Sequence, residues 1–190
     1  MENIVSKHIM AILPVYIKGK GNCTYIYTRE GMLELGLTIK TVIKNLCVYY
    51  CLDLKSCNKT YGSLLSSKYR PPIPFNHDNI FIQFKTRTPI GKHDGAYGYF
   101  NINSIKGTKS IGKTTSIYLL DDEEIEVLMS IYTVKKYINN GEVVRKLIKD
   151  NKSKVIKDSP SFYEEENAPA TKSDIALLYL KILEIRERLD

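Results

Sequence analysis

A change of hydrophobic period near residue 121 constrains this chain more than any other feature. Before it, apolar and β-branched residues alternate in short runs: Ile4–Ile17, Cys23–Thr28, Ile80–Phe84, Ala96–Ile105 and Thr114–Leu120. A period of two puts alternate side chains on one face, so these runs predict half-buried strands in an antiparallel sheet. GKG (Gly19–Gly21) joins the first two as a hairpin. Pro14 should stand at an edge or bulge of its strand, because it has no N–H to give a ladder. RPPIPF (Arg70–Phe75) must be extended, since each proline fixes φ and keeps its predecessor out of the α region. One short helix interrupts the strands over Thr38–Leu46, where Ile39, Val42, Ile43 and Leu46 fall at i, i+3, i+4 and i+7. Asn58–Arg70, polar and basic, reads as a loop or short exposed turn.

After residue 121 the spacing turns helical. DDEE (Asp121–Glu124) suits a helix N-terminus, where the macrodipole stabilises negative charge, and Ile125, Leu128, Met129 and Tyr132 follow at helical steps. NNG (Asn139–Gly141) predicts a C-cap, with a second short helix over Glu142–Lys149. Asn151–Ser173 carries Lys-rich polar residues, Ser-Pro, three consecutive Glu and Ala-Pro, and reads as a linker. In a last helix, Ile175, Leu178, Ile182, Ile185 and Leu189 share one seam. Two heptads are too few for a coiled coil to stand alone, so this seam docks on the body or on a second copy. The expected architecture is α+β: an antiparallel β-sheet core in the N-terminal two-thirds and helices in the C-terminal third. Its parts are a body over 1–150, a linker over 151–173 and an amphipathic helix over 174–190.

At 190 residues and 43% hydrophobic content the chain can bury a core, which excludes disorder throughout. Only 11 Gly and 7 Pro exclude a collagen-like chain. No apolar run approaches the ~18 residues that cross a bilayer. The first residues lack the basic and apolar regions of a secretory leader, so the expectation is a cytoplasmic protein without membrane contact. The net charge of +7 is uneven. Residues 1–120 hold 16 basic and 6 acidic side chains, a net of +10, while residues 121–190 hold 12 and 15, a net of −3. That asymmetry points to a polyanion partner, although an AT-rich genome would enrich Lys, Ile, Asn and Tyr for reasons unrelated to function.

Cys23, Cys47, Cys51 and Cys57 lack paired zinc spacing, and in a reduced cytosol they read as small buried hydrophobes, with no metal or other cofactor expected. GTKSIGKT (Gly107–Thr114) satisfies the phosphate-loop expression in full, so a nucleotide-binding enzyme using Lys113 is one reading. That chemistry needs a helix starting at Lys-Thr, whereas TTSIYLL favours a strand. A β-turn between two strands, with Gly112 at positive φ, accounts for the same letters. His77–Asp78 and His93–Asp94 assemble no nucleophile, base and orienting group, so no catalytic residues are assigned and no enzyme is expected. A non-catalytic scaffold with a basic face is the third reading.

Several segments carry a family resemblance: MAILPV near Met10, Cys47–Tyr49–Tyr50, and RPPIPFNHDNIFIQF over Arg70–Phe84. TRTP at Thr86–Pro89, the aromatic strand Tyr97–Phe100 with its Asn-Ile-Asn-Ser-Ile continuation, and GKT at Gly112–Thr114 complete the set. In order and spacing, over residues 5–150, the chain resembles the competence transcription factor family of Gram-positive bacteria, the ComK type. The resemblance implies a sequence-specific activator that binds double-stranded A-rich and T-rich boxes, mainly through the minor groove, as a homo-oligomer. It also implies turnover in which an adaptor delivers the protein to a Clp protease. The family's adaptor segment ends in Tyr-Pro, where this chain has Phe162–Tyr163 followed by three Glu. Tyr97–Tyr99 stand in place of the family's Trp.

The residues agree in kind. A-tracts narrow the minor groove and deepen its negative potential, and a planar, weakly hydrated guanidinium suits it. Arg70 beside the proline pair and Arg87 in KTRTP are the expected reading side chains. Lys55, Lys59, Lys68, Lys85, Lys92 and Lys113 are expected phosphate contacts, each equally readable as ordinary surface charge. Asn58 is expected on a base edge or a phosphate. Tyr49, Tyr50, Phe81, Phe84, Tyr97 and Tyr99 read as packing residues rather than base stackers.

Overall fold

The hairpin around Gly19 forms as its alternation requires. In the computed structural model, which describes residues 5, 7–65, 70–91 and 94–157 and side chains as far as residue 149, β1 (Ile9–Ile17) pairs antiparallel with β2 (Gly21–Thr28). β3 (Gly31–Leu35), a strand the sequence reading did not separate, continues the meander. With β4 (Ile73–Pro74), β5 (Ile80–Lys85) and β6 (Tyr97–Asn101) they form a six-stranded antiparallel sheet in the order β3-β2-β1-β6-β5-β4. β1 is central, yet it pairs with β6 only at Ala11 and Ile12. Pro14 therefore lies where β1 has lost that neighbour, a local edge of the kind proline needs.

Register assigns the two faces. Ala11 opposes Phe100, and Ile82 opposes Phe100 from the other side; with Ile80 and Phe84 they share one core. Ile12, Ile26, Phe81 and Tyr99 point the other way. That second face is covered by α1 (Ile39–Tyr49), whose Ile39, Val42, Ile43, Leu46 and Cys47 are buried as the 3.6 period predicts. Thr38 caps it, its hydroxyl accepting from the Thr41 amide at 3.3 Å. The first face packs against a second antiparallel sheet, β7 (Ile105–Ile111), β8 (Thr114–Leu119) and β9 (Glu124–Val127) in that order, and against α3 (Ile131–Lys157). Phe81, Phe84 and Phe100 are completely enclosed between these layers, each worth about 1.5–3 kcal/mol of burial.

The α+β class is as the patterning implied, but four local expectations are corrected. Asn58–Arg70 is not all loop: Leu54–Leu64 is a helix, α2, capped by Asp53, whose carboxylate accepts from the Lys55 amide at 2.9 Å and the Ser56 hydroxyl at 2.6 Å. Its apolar stripe is one residue wide (Leu54, Cys57, Tyr61, Leu65), too thin to stand out among Lys, Ser and Thr. Ala96–Ile105 is two pieces, because Asn101 turns its side chain onto the Asn103 amide at 3.1 Å and starts a 3₁₀ turn at Ile102–Ser104 between β6 and β7. DDEE does not open a helix. Glu124–Val127 alternates exposed and buried residues and adds to the free edge of β8, with Asp122 in the tight turn at φ 64°. NNG is no C-cap either, since α3 runs unbroken through Gly141 and on to Lys157, taking in the first residues of the expected linker. A Cβ at Gly141 would lie 2.7 Å from Cγ2 of Ile102 and 3.1 Å from Cγ2 of Ile82, so the glycine is there for close approach.

The chain divides into units Met1–Asn151 and Lys152–Asp190. The seam residues Ile175, Leu178, Ile182 and Ile185 lie outside the described residues. Among the described residues, no helix is long and apolar enough to cross a membrane. Cys23, Cys47 and Cys57 are buried free thiols, and burial pushes the Cys57 thiol up to about 11. Cys51 differs in being exposed.

Candidate nucleic-acid interface

Antiparallel strands send alternate turns to opposite ends of the body. The β1–β2 turn, the exit of β5 at Lys85 and the entry of β6 at Tyr97 share one end. The second sheet arrives there too. The Leu128 amide donates to the Lys85 carbonyl at 2.6 Å, and the Thr115 hydroxyl donates to the Met129 carbonyl at 2.9 Å. Thr115 opposes Val127, so the β7–β8 turn at Gly112–Lys113 reaches the same rim.

Arg70 and Lys85 meet around one ring. Tyr97 is the cross-strand partner of Lys85, and the Arg70 guanidinium carbon stands 3.6 Å from the Tyr97 ring centroid. Stacking of this kind holds a planar cation in one orientation while leaving its edge donors available. Arg70 is exposed and adopts φ 50°, a left-handed conformation that costs a residue with a Cβ about 1–2 kcal/mol. Arg70 therefore departs from the extended conformation expected of Arg70–Phe75, and the two prolines that follow it, Pro71 and Pro72, are buried. Tyr97 thus packs under a cation, and Phe81, Phe84 and Tyr99 pack in the core, as expected of them.

Arg87 is placed on the same face, two residues beyond Lys85, but its guanidinium is turned inward. Nε donates to the Gly95 carbonyl at 2.7 Å and Nη2 to Asn22 Oδ1 at 2.7 Å, and the carbon lies 3.9 Å from the Tyr16 ring centroid. Nη1 is buried and has no hydrogen-bond partner among the described residues. Asp94 closes the circuit: it accepts from the Tyr16 hydroxyl, from the Gly91 amide at 2.6 Å and from Asn22 Nδ2 at 2.6 Å. The Tyr16 hydroxyl and the Gly91 amide, then Asn22 and the Arg87 charge, hold its carboxyl down at about 2. The Tyr16 oxygen accepts in turn from the Ile90 amide at 2.9 Å. Arg87 therefore shapes the loop between β5 and β6. Local sequence could place a cation in KTRTP, but not the convergence of Tyr16 and Asn22 from the β1–β2 hairpin, which only tertiary pairing supplies.

The other expected contacts are distributed. Lys113 is exposed at the tip of the β7–β8 turn, and Lys55 and Lys59 are exposed on α2. Asn58 Oδ1 on that helix is enclosed without a partner among the described residues, so it does not face outward to a base. Lys68 and Lys92 lie outside the described residues. Sequence reasoning passed over Lys18 and Lys20, which the β1–β2 turn carries to the same rim; the signal was their position, Lys18 just before GKG and Lys20 within it. Gly107–Thr114 is β7, a turn and the start of β8, with Gly112 at φ 59°. Its backbone groups belong to the ladder and no helix follows, so the loop-to-helix cradle that phosphate binding needs is not formed. His77 pairs with Asp78 at 2.9 Å on the exposed β4–β5 turn at the opposite end, and His93 lies outside the described residues.

No curated protein matches the chain. A protein-family model does: the one described as ComK protein aligns with residues 1–162, which among the described residues takes in both sheets, helices α1 to α3 and every element of the rim. The likeness first visible in MAILPV, in RPPIPF and in the aromatic strand is thus carried by the whole body, and the chain belongs to the ComK protein family.

Proposed function

We propose that this member of a competence transcription-factor family activates transcription by gripping A/T-rich boxes in double-stranded DNA, largely through the minor groove, with the rim where both sheets end. One observation carries this reading. Arg70, stacked on Tyr97 beside Lys85, shares an end of the body with Lys113 and the Arg87-clamped loop. A narrow A-tract groove concentrates negative potential, and an oriented guanidinium enters it with little loss of hydration. Arg70 is the reading side chain. Lys85 and Lys113 flank it on phosphates, and Lys55, Lys59, Lys68 and Lys92 are the further phosphate contacts of this reading. Arg87 contributes by fixing the loop. In the same reading the Ile175, Leu178, Ile182 and Ile185 seam joins copies of the chain on adjacent boxes, and adaptor-delivered Clp proteolysis limits its lifetime.

A gel-shift series on A/T-rich and G/C-rich duplexes of equal length tests it. The A/T-rich duplex should bind more tightly, a minor-groove drug should compete, and Arg70→Ala should cost roughly tenfold on that duplex and less on the other. Equal affinity for both duplexes, unaffected by the drug, would leave only a nonspecific polyanion binder.

A further inference from the structure

The most exposed large apolar side chain among the described residues is Ile90, at 82%. A single exposed aliphatic group is ordinary on a protein surface. What sets this one apart is the support beneath it. Its amide donates to the Tyr16 hydroxyl at 2.9 Å, the next amide, of Gly91, to Asp94 at 2.6 Å, and the Asp94 amide to the Gly91 carbonyl at 3.1 Å. Asn22 and Arg87 fix that carboxylate and the foot of the loop. Pro89 restricts the backbone on the other side, and β-branching restricts χ1 of Ile90 itself. A rigid pedestal thus holds one stiff aliphatic group in water, on a rim rich in cations.

Resting on the DNA-binding reading above, we propose that Ile90 is a wedge that enters between two stacked base pairs from the minor groove and kinks the duplex. The surroundings favour this partner over a protein. Thr88 and Pro89 are exposed, and Gly91 carries no side chain. The large exposed apolar neighbour among the described residues, Tyr16, has its hydroxyl and ring engaged by Asp94 and Arg87. The loop thus offers one free aliphatic group rather than the broad apolar patch that a docking protein needs. A gap between base pairs accepts a single apolar side chain, and the loss of stacking is offset by the closer wrapping of DNA on flanking cations. The Asp94 charge, which would repel phosphate, is engaged by Tyr16, Asn22 and the neighbouring Arg87. Flexible pyrimidine–purine steps such as TA open most easily, so the wedge adds preference for such a step inside an A/T-rich box.

The test uses the full chain and an A/T-rich duplex with a central TA step, dyes at its two ends and 2-aminopurine beside the step. Wild type should bring the ends together and raise 2-aminopurine fluorescence through unstacking. Ile90→Ala should abolish both signals and weaken binding about tenfold without altering the melting temperature, and Ile90→Leu should retain them. An Ile90→Ala protein that bends and unstacks the duplex as wild type does, or a wild type that binds tightly with neither signal, overturns the wedge and leaves the DNA-binding reading standing. A wild type that binds no duplex of either composition overturns that reading first, and the wedge with it.

Discussion

The two ends of the sheet body are built from the same kinds of turn and carry opposite chemistry. At one end stand Lys18, Lys20, Arg70, Lys85, Arg87 and Lys113, and the acids beside them are already engaged: Glu34 by Lys20 at 2.5 Å, Asp94 inside the loop network. At the other end the β2–β3 turn brings Arg29 and Glu30, the β4–β5 turn His77 and Asp78, and the β8–β9 turn Asp121, Asp122 and Glu123. Charges there neutralise one another locally, Lys7 with Glu30 at 3.0 Å and Lys106 with Asp122 at 2.5 Å. An antiparallel meander creates such polarity without any charge block in the sequence, because every second turn returns to the same end. Counting charge by position along the chain finds a basic stretch and an acidic one. It misplaces the acids of DDEE, which belong to the same body as the cations, at its far end.

The comparison can be broken first by stability. Arg87→Ala removes two hydrogen bonds from a charged donor and a stacking partner, and should cost about 2–3 kcal/mol in denaturant unfolding. Arg87→Lys should fail to restore it, because an ammonium cannot span Gly95 and Asn22 while lying flat on Tyr16. Lys106→Ala, which breaks an exposed ion pair at the far end, should change stability by less than about 1 kcal/mol. Equal losses at the two ends would remove the distinction between a clamped rim and a loosely paired one.

A smaller effect separates folding from the rim. Gly141→Ala usually stabilises an exposed helix, by up to about 1 kcal/mol. Here the added methyl meets Ile102 and Ile82, and overpacking of about 1–3 kcal/mol should make the net change destabilising while DNA affinity stays unchanged at a temperature where the protein is folded. A stabilised variant would mean that the Ile102 turn yields freely.

The smallest effect concerns pH. The Asp94 carboxyl sits at about 2 in the folded protein, below its ordinary range. A depressed folded value means that the unfolded chain binds the proton first, so this contribution is complete above the ordinary carboxylate range and is lost as pH falls toward 2. Protection of the Ile90 and Gly91 amides, measured against their intrinsic exchange at each pH, should fall over that interval, and Asp94→Asn should remove the dependence. Protection that is flat from pH 5 to pH 2 in the wild type, a span of about three decades in proton activity, would show that the loop does not rely on the ionised carboxylate.

Local pattern alone determined the strands at β1, β2, β5 and β8, the extended β4 within the proline-rich segment, helix α1 and the turn nature of GTKSIGKT. In each, period, proline geometry and glycine freedom all act within a few residues. Pattern also named Arg70 and Arg87 as the reading side chains, on loops with rigid or strand neighbours, and Lys85 among the flanking cations. Tertiary structure decided the rest, because the stabilising partner was distant. α2 needs the core to reward its thin stripe, β9 needs the open edge of β8 to override the helical tendency of DDEE, and Gly141 continues α3 because Ile102 leaves no room for a side chain. Above all, only the pairing of β1, β2, β5 and β6 brings Tyr16, Asn22 and Asp94 around Arg87. A guanidinium that a linear reading turns toward solvent is instead drawn inward, where donors held in fixed geometry exceed what water would return.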